Sequence, residues 1–215
     1  MSRVVLGDCL SILPTLPDRC VDMVLTDPPY LVNYQDRAGR SIANDINDDW
    51  LAPAFKQIHR VMRDDTLCIS FYGWNRVDRF FAAWRAAGLR AVGHIVFAKQ
   101  YQSKARFLGY RHEAAYLLAK GQPPVPEKPL PDVMPWKYSG NRHHPTQKPV
   151  ECLAPLIEAF TQPRGIVLDP FAGSGSTCVA ARQVGRRFYG IEMDPKYHAA
   201  AMERLDLANQ ERTAA

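Results

Sequence analysis

Asp27-Pro28-Pro29-Tyr30 is the stretch whose residue types most directly imply chemistry. Two consecutive prolines fix the backbone and remove two N–H donors, so the Asp27 carboxylate and the Pro28 carbonyl both face outward as acceptors. Together they suit an –NH₂ group, and Tyr30 offers a ring on which a planar base can stack. The same four residues also fit a rigid proline turn with a packed tyrosine. A second stretch, Asp169-Pro170-Phe171-Ala172-Gly173-Ser174-Gly175-Ser176-Thr177, follows a short apolar run and leads into helical spacing. Glycines at such a turn let backbone N–H groups and a helix N-terminus approach a ligand. Gly173-x-Gly175 lacks the third glycine of a dinucleotide fingerprint, and no Gly-Lys-Ser/Thr follows, so neither a nicotinamide site nor a P-loop is supported. Asp169 would repel phosphates and suits a ligand bearing an ammonium group. Taken alone, the glycines are equally satisfied by a tight connection that binds nothing.

Two further acids extend the second stretch. Glu192 follows the glycine turn by about the 20 residues at which an acid meets ribose hydroxyls in nucleotide-binding α/β folds. A ligand with both a ribose and an ammonium group is therefore implied. Asp8 lies just beyond the first apolar run, whereas Asp194, before Pro195, reads as a helix cap.

The elements that must position these acids follow from hydrophobic period. Strands are expected at 3–6, 21–25, 66–71, 91–97, 114–119, 166–168 and 187–191. Helices are expected at 50–62, 75–87, 150–160 with a break or bend near Pro155, 176–184 and 195–210, with a short helical segment at 9–13 that stops at Pro14. Residues 121–135 are proline-rich and read as a surface connector without regular structure. Strands alternating with helices, each polar only at its C-terminal end, indicate an α/β fold: a mostly parallel twisted sheet with helices on both faces. In such sheets ligands bind at the C-terminal ends of strands, where Asp27, Asp169 and Glu192 fall.

A chain of 215 residues, 47% hydrophobic, can bury one substantial core, and a single domain over 1–215 is expected. The net charge of +5 permits a polyanionic partner. Five dispersed cysteines without Cys-x-x-Cys spacing read as reduced thiols, and no apolar run reaches the roughly 18 residues of a membrane span, so a cytoplasmic protein is expected. His143 and His144 lack further ligands at metal spacing, and no metal is expected. Residues 99–112 interleave basic and aromatic side chains, a pattern suited to phosphate contact and base stacking.

With these motifs in place, the sequence resembles the S-adenosylmethionine-dependent amino-methyltransferases that modify exocyclic amines of DNA bases. Asp27 to Tyr30 is similar to their catalytic motif, and Asp169 to Thr177 to their cofactor motif. The catalytic motif comes first, an order that resembles the β class. Gly7-Asp8-Cys9 and His144-Pro145-Thr146-Gln147-Lys148-Pro149 match that class too. The resemblance implies a Rossmann-like methyltransferase fold with permuted motif order and S-adenosylmethionine as cofactor. It also implies that Asp169, Gly173, Ser174, Gly175 and Thr177 hold the methionine moiety, that Phe171 lines its pocket, and that Glu192 binds the ribose. Asp8 would meet the adenine end, and Lys148 and Thr146 the cofactor carboxylate or the loop around it. Asp27, Pro28, Pro29 and Tyr30 would act on a flipped base, and Asp at the first motif position points to adenine N6, the alternatives being cytosine N4, an RNA adenine, or a non-catalytic nucleic-acid-binding subunit. Phe71, Tyr72 and Trp74 are further candidates for the base pocket. DNA is the implied partner, through Lys99, Lys104, Arg106, Arg111 and Arg142, joined by Arg37 and Arg40. Residues 99–112 and 121–143 are the candidate contact loops, the latter with Trp136 and Lys137. Dimers are common in the class.

Overall fold

The computed structural model describes residues 2–32, 47–103, 107–137 and 147–213. Its strands are β1 (Arg3–Leu6), β2 (Val21–Thr26), β3 (Met62–Phe71), β4 (Arg90–Ser103), β5 (Tyr110–Lys120), β6 (Val133–Pro135), β7 (Ile166–Asp169) and β8 (Arg187–Glu192). The helices are α1 (Cys9–Ile12), α2 (Leu51–Val61), α3 (Val77–Ala86), α4 (Val150–Phe160), α5 (Ser176–Gln183) and α6 (Pro195–Thr213). All eight strands share one sheet in the order β1-β8-β7-β2-β3-β5-β4-β6. The pairs β1/β8, β8/β7, β7/β2, β2/β3 and β4/β6 are parallel, and only β5 runs against its neighbours.

The central strands are apolar on both sides because both faces of the sheet are covered. Alternation along β2 sends Met23 and Leu25 to one core and Val24 to the other. Leu156 and Ile157 of α4, Cys178 and Ala180 of α5 and Leu205 of α6 fill the first core. Phe55 and Ile58 of α2 and Phe80 and Trp84 of α3 fill the second. Helix α2 buries Leu51, Ala54, Phe55, Ile58 and Val61, the stripe that its spacing demands. Helix α4 runs unbroken through Pro155, where an interruption was expected. A missing N–H and ring clash cost about 3 kcal/mol, and burial of Cys152, Leu153, Leu156 and Ile157 on one stripe offsets that.

Two stretches read as connectors are strands. The hairpin of β4 and β5 reaches well past the buried run, pairing Ala98 with His112 and Ser103 with Tyr110, so much of 99–112 forms the arms of a ribbon rather than a loop. Apart from buried Lys99 these arms are largely exposed, so hydrophobic alternation does not mark them. Within the proline-rich connector, β6 adds to the sheet edge by pairing Val96 with Val133 and Ala98 with Pro135. Pro135 is tolerated there because an edge strand has one unpaired side. Strand β3 also begins earlier than expected, at Met62, through the exposed residues Arg63, Asp64 and Asp65. Among the described residues no helix is long and apolar enough to cross a membrane.

Candidate active site

Strands β2 and β7 pair with Met23 opposite Val167 and Val24 opposite Leu168, which brings Asp27 and Asp169 to adjacent C-terminal ends. The Thr26 hydroxyl spans the gap, donating to Asp169 Oδ1 at 3.0 Å. One cavity takes its wall from both stretches, from Asp27 to Tyr30 and from Asp169 to Ser174, closed by Gly7 and Asp8 on one side and by Glu192 and Tyr197 on another.

In the half around Asp169, backbone N–H groups hold Glu192 and share Asp169 with threonine hydroxyls. The Phe171 N–H donates to Asp169 Oδ1 at 3.2 Å. Burial pushes the Asp169 carboxyl up to about 7, hydrogen bonds from Thr177, Phe171 and Thr26 offset this only in part, and the charge of Asp27 adds to it. Among the described residues no cation pairs with Asp169, so an incoming ammonium group would find a buried acid ready to ionise. Glu192 accepts the Gly173 N–H at 2.7 Å and the Asp194 N–H at 2.8 Å, tying the glycine turn to the end of β8. Its carboxyl too is raised, chiefly by burial. The Gly7 N–H donates to the Glu192 carbonyl at 2.8 Å, which sets β1 and Asp8 beside it. Asp8 caps α1 through the Leu10 N–H at 2.9 Å while facing the cavity. Asp194 accepts the Lys196 N–H at 2.8 Å and caps α6, the role its sequence context implied.

Gly175 shapes this half without lining the cavity. It starts α5 with φ +79°, and a Cβ there would lie 2.9 Å from Ala201 Cβ of α6. Ser174 reaches the cavity wall, but its carbonyl and hydroxyl are both taken by Arg204, at 2.6 and 3.1 Å. Arg204 also donates to the Ser176 hydroxyl at 3.1 Å. Nothing in the sequence singles out this arginine in the last helix. Trp50, unassigned by sequence, packs edge-on against Phe171 with ring centroids 5.1 Å apart and completes an aromatic wall.

The half around Asp27 is held by side chains. The Tyr30 hydroxyl donates to Asp27 Oδ1 at 2.8 Å, and Lys148 Nζ donates to Oδ2 at 2.6 Å. Lys148, expected at the cofactor carboxylate or the loop around it, thus contacts Asp27 on the wall of the shared cavity. Its ammonium lies 4.8 Å from the centroid of Phe71 and 5.3 Å from that of Tyr30. Burial raises the carboxyl of Asp27, with Lys148 and Tyr30 opposing the rise and Glu113 adding to it. The Tyr30 phenol is raised as well, by burial and then by the charge of Asp27. Leu31 follows with φ 62°, a left-handed conformation that costs a non-glycine residue about 1–3 kcal/mol and collects at functional sites. Gly73 sits against this turn, where a Cβ would lie 2.5 Å from the Tyr30 carbonyl oxygen.

Of the candidate DNA contacts, Lys99 is turned inward. It is buried, ion-paired with Glu113 across the hairpin, and lies 5.5 Å from the Trp136 ring centroid. Its charge is thus neutralised internally instead of facing a phosphate. Arg111 is exposed on β5. Trp74 is 64% exposed and packs on Tyr110 at 5.6 Å. Phe71 lines the cavity, whereas Tyr72 belongs to an aromatic cluster with Trp84 and Tyr116 in the second core. Lys104, Arg106, Arg142 and Thr146, with Arg37, Arg40, His143 and His144, lie outside the described residues. Among the described residues no group of three or more His, Cys, Asp or Glu could hold a metal ion. Burial pushes the Cys9 thiol, on the cavity wall, up to about 12, so it is no nucleophile near neutral pH.

Comparison with known proteins places the chain among DNA methylases. The chain is 63% identical over 205 residues to YubD, a candidate methylase of Escherichia coli (strain K12), covering 95% of this chain and 90% of that one. It is 28% identical to the DNA adenine methyltransferase YhdJ of the same organism, covering 96% and 83%. The fold superposes on the crystal structure of an M1.HpyAVI–SAM complex with TM-score 0.76 at 23% identity, covering 96% and 100% of the two chains. It superposes equally, at 17% identity and coverage of 96% and 91%, on the PvuII DNA methyltransferase, which is cytosine-N4-specific. The sequence profile of the N6/N4 DNA methylases spans residues 21–203, a range that contains both Asp27 and Asp169, and the chain belongs to that DNA methylase family.

Proposed function

We propose that this DNA methyltransferase modifies the N6 amine of adenine, using S-adenosylmethionine and a target base turned out of the helix. The observation that carries the reading is the placement of Asp27 and Asp169 on adjacent strand ends in one cavity. S-adenosylmethionine supplies a methyl group on a positively charged sulfur. The residues present fit it: the carboxyl of Asp169, pushed by burial up to about 7 and without a cation among the described residues, suits its ammonium. Glu192 suits the ribose, Asp8 the adenine end, and Phe171 with Trp50 the apolar flank.

The acceptor half then has a defined task. An exocyclic amine is a poor nucleophile because its lone pair is delocalised into the ring. Accepting its two N–H groups at Asp27 and the Pro28 carbonyl favours a tetrahedral nitrogen and opposes the positive charge that develops there. Methyl transfer from the bound cofactor, the bonding pair leaving with its sulfur, would make one amine proton surplus, and Asp27 would be the carboxylate to accept it. Tyr30 supplies the stacking face for a base taken out of the duplex. Alignment of nitrogen and methyl carbon is the main catalytic requirement, and the rigid pairing of β2 with β7 meets it.

Adenine is favoured by Asp at the first motif position and by the similarity to YhdJ. Exposed Arg111 and the ribbon arms of β4 and β5 are the proposed DNA contacts, with Lys104, Arg106 and Arg142. The test is incubation with labelled S-adenosylmethionine and unmethylated DNA, followed by identification of the labelled nucleoside. N6-methyladenine is expected. N4-methylcytosine would overturn the choice of base, and no transfer to DNA from a folded, cofactor-bound sample would overturn the reading altogether.

A further inference from the structure

Lys148 stands 121 residues from Asp27 in sequence, and its side chain is only 6% exposed. An ammonium group so placed has lost most of its water, and the structure returns it three partners: Asp27 Oδ2 and the faces of Phe71 and Tyr30. A cation over an aromatic face is attracted by the ring quadrupole, more strongly when desolvated. These contacts all lie in the acceptor half of the cavity. Among the described residues, Asp169 and Glu192 are held by Thr26, Phe171, Gly173 and Asp194 rather than by a lysine.

We propose that Lys148 is a positioning residue for the acceptor site: it holds Asp27 ionised and fixes the direction in which that carboxylate meets the amine. The inference rests on the methylation reading above. A protonated Asp27 has one oxygen committed as a donor and no charge with which to oppose a cationic nitrogen. Burial, and then the acids facing Asp27, favour its protonated form. Glu113 on β5, itself paired with Lys99 of β4, and Asp169 on β7 are both acids, and Tyr30 on the same turn contributes only a hydrogen bond. Among the described residues Lys148 is the cation in contact with Asp27. A compact ammonium fits the space between two rings in a way that a planar guanidinium does not. Each carboxylate oxygen keeps a second lone pair, so the clamp on Oδ2 leaves room for the amine.

The experiment compares wild type with Lys148→Met, close in length but uncharged, and with Lys148→Arg. Single-turnover methyl transfer is followed against pH, cofactor affinity is measured by calorimetry, and the Asp27 carboxyl is titrated by carbon-13 NMR. The expected result is that Lys148→Met moves the acid limb of the rate profile and the Asp27 titration upward by about 1–3 pH units. Cofactor affinity is expected to stay at the wild-type value and Lys148→Arg to recover part of the shift. Unmoved limb and titration together with weakened cofactor binding would overturn the proposal and assign Lys148 to the cofactor. A wild type that transfers no methyl group sinks the methylation reading instead; the NMR titration still decides whether Lys148 sets the state of Asp27, an unshifted Asp27 counting against it.

Discussion

Asp169 and Asp27 end neighbouring parallel strands, yet their carboxylates are held by different means. Asp169 is fixed by one backbone donor, the Phe171 N–H, and by the hydroxyls of Thr26 and Thr177, all on its own turn and helix or the adjacent strand. Its companion Glu192 takes two backbone N–H groups. Asp27 is fixed by the Tyr30 hydroxyl and by a lysine from a distant part of the chain. A site built on backbone N–H groups tolerates side-chain change around it, because its donors persist in any residue but proline. A site built on side chains depends on each of them. Among the described residues Asp169 has no counter-cation, whereas Asp27 already has one.

The largest expected effect lies in the acceptor half. Asp27→Ala removes the charge that opposes the cationic nitrogen, and a loss of about 10²–10³ in single-turnover rate is expected, the range for removal of one group that stabilises transition-state charge. Cofactor affinity should survive, because in the proposed arrangement Asp27 faces the amine and not the cofactor. Loss of cofactor binding in the folded variant would erase the distinction between the halves.

Asp169→Asn should show the converse. Losing a charge-assisted hydrogen bond to the ammonium costs about 1.5–3 kcal/mol of affinity, roughly tenfold to a hundredfold. The same change acts on stability in the opposite direction. The ligand-free folded state keeps the Asp169 proton up to about 7, whereas the unfolded chain releases it near 3.8. The folded state therefore binds more protons across that window, and its stability falls as pH rises through it. Asn carries no such penalty, so Tm of the ligand-free variant at pH 8 should exceed that of wild type while cofactor affinity drops. For the wild-type protein, cofactor affinity should rise with pH through about 7 as the carboxyl ionises.

How much of this was legible in the sequence divides along the same line. The Asp169 turn, Glu192 and the Asp194 cap depend on backbone within a few residues of themselves or on a fixed strand spacing, and their letters reveal them. Lys148 in contact with Asp27, Arg204 behind Ser174 and Trp50 against Phe171 depend on tertiary placement, which local period does not encode. The β4–β5 ribbon escaped for another reason. Apart from buried Lys99 its arms are largely exposed, so this lysine read as one more base in an exposed run, although its partner Glu113 stands across the hairpin.

Gly175→Ala tests the half around Asp169 where it is least forgiving. A left-handed φ combined with a Cβ placed 2.9 Å from Ala201 should cost about 1–3 kcal/mol of stability, read by thermal or denaturant unfolding. Because Gly175 is absent from the cavity wall, cofactor affinity in the folded fraction should change less than stability does.

Tyr30→Phe should have the smallest effect, and it apportions the acceptor half between hydroxyl and ring. The hydroxyl donates one hydrogen bond to Asp27 Oδ1, and a bond of that kind contributes about 0.5–1.5 kcal/mol net. The phenylalanine ring keeps both the stacking face and the contact with the Lys148 ammonium, and Lys148 keeps its grip on Oδ2. The transfer rate should therefore fall by about fivefold, about 1 kcal/mol, with its acid limb displaced upward by less than in Lys148→Met. Tyr30→Ala removes the ring as well and should lose about 1–3 kcal/mol more, the contribution of one base stacked on one aromatic. If the two variants lose equally, the ring does not stack on the target base and Tyr30 acts only through Asp27; if Tyr30→Phe alone loses as much as Asp27→Ala, the hydroxyl, rather than Lys148, is what holds the carboxylate for the amine.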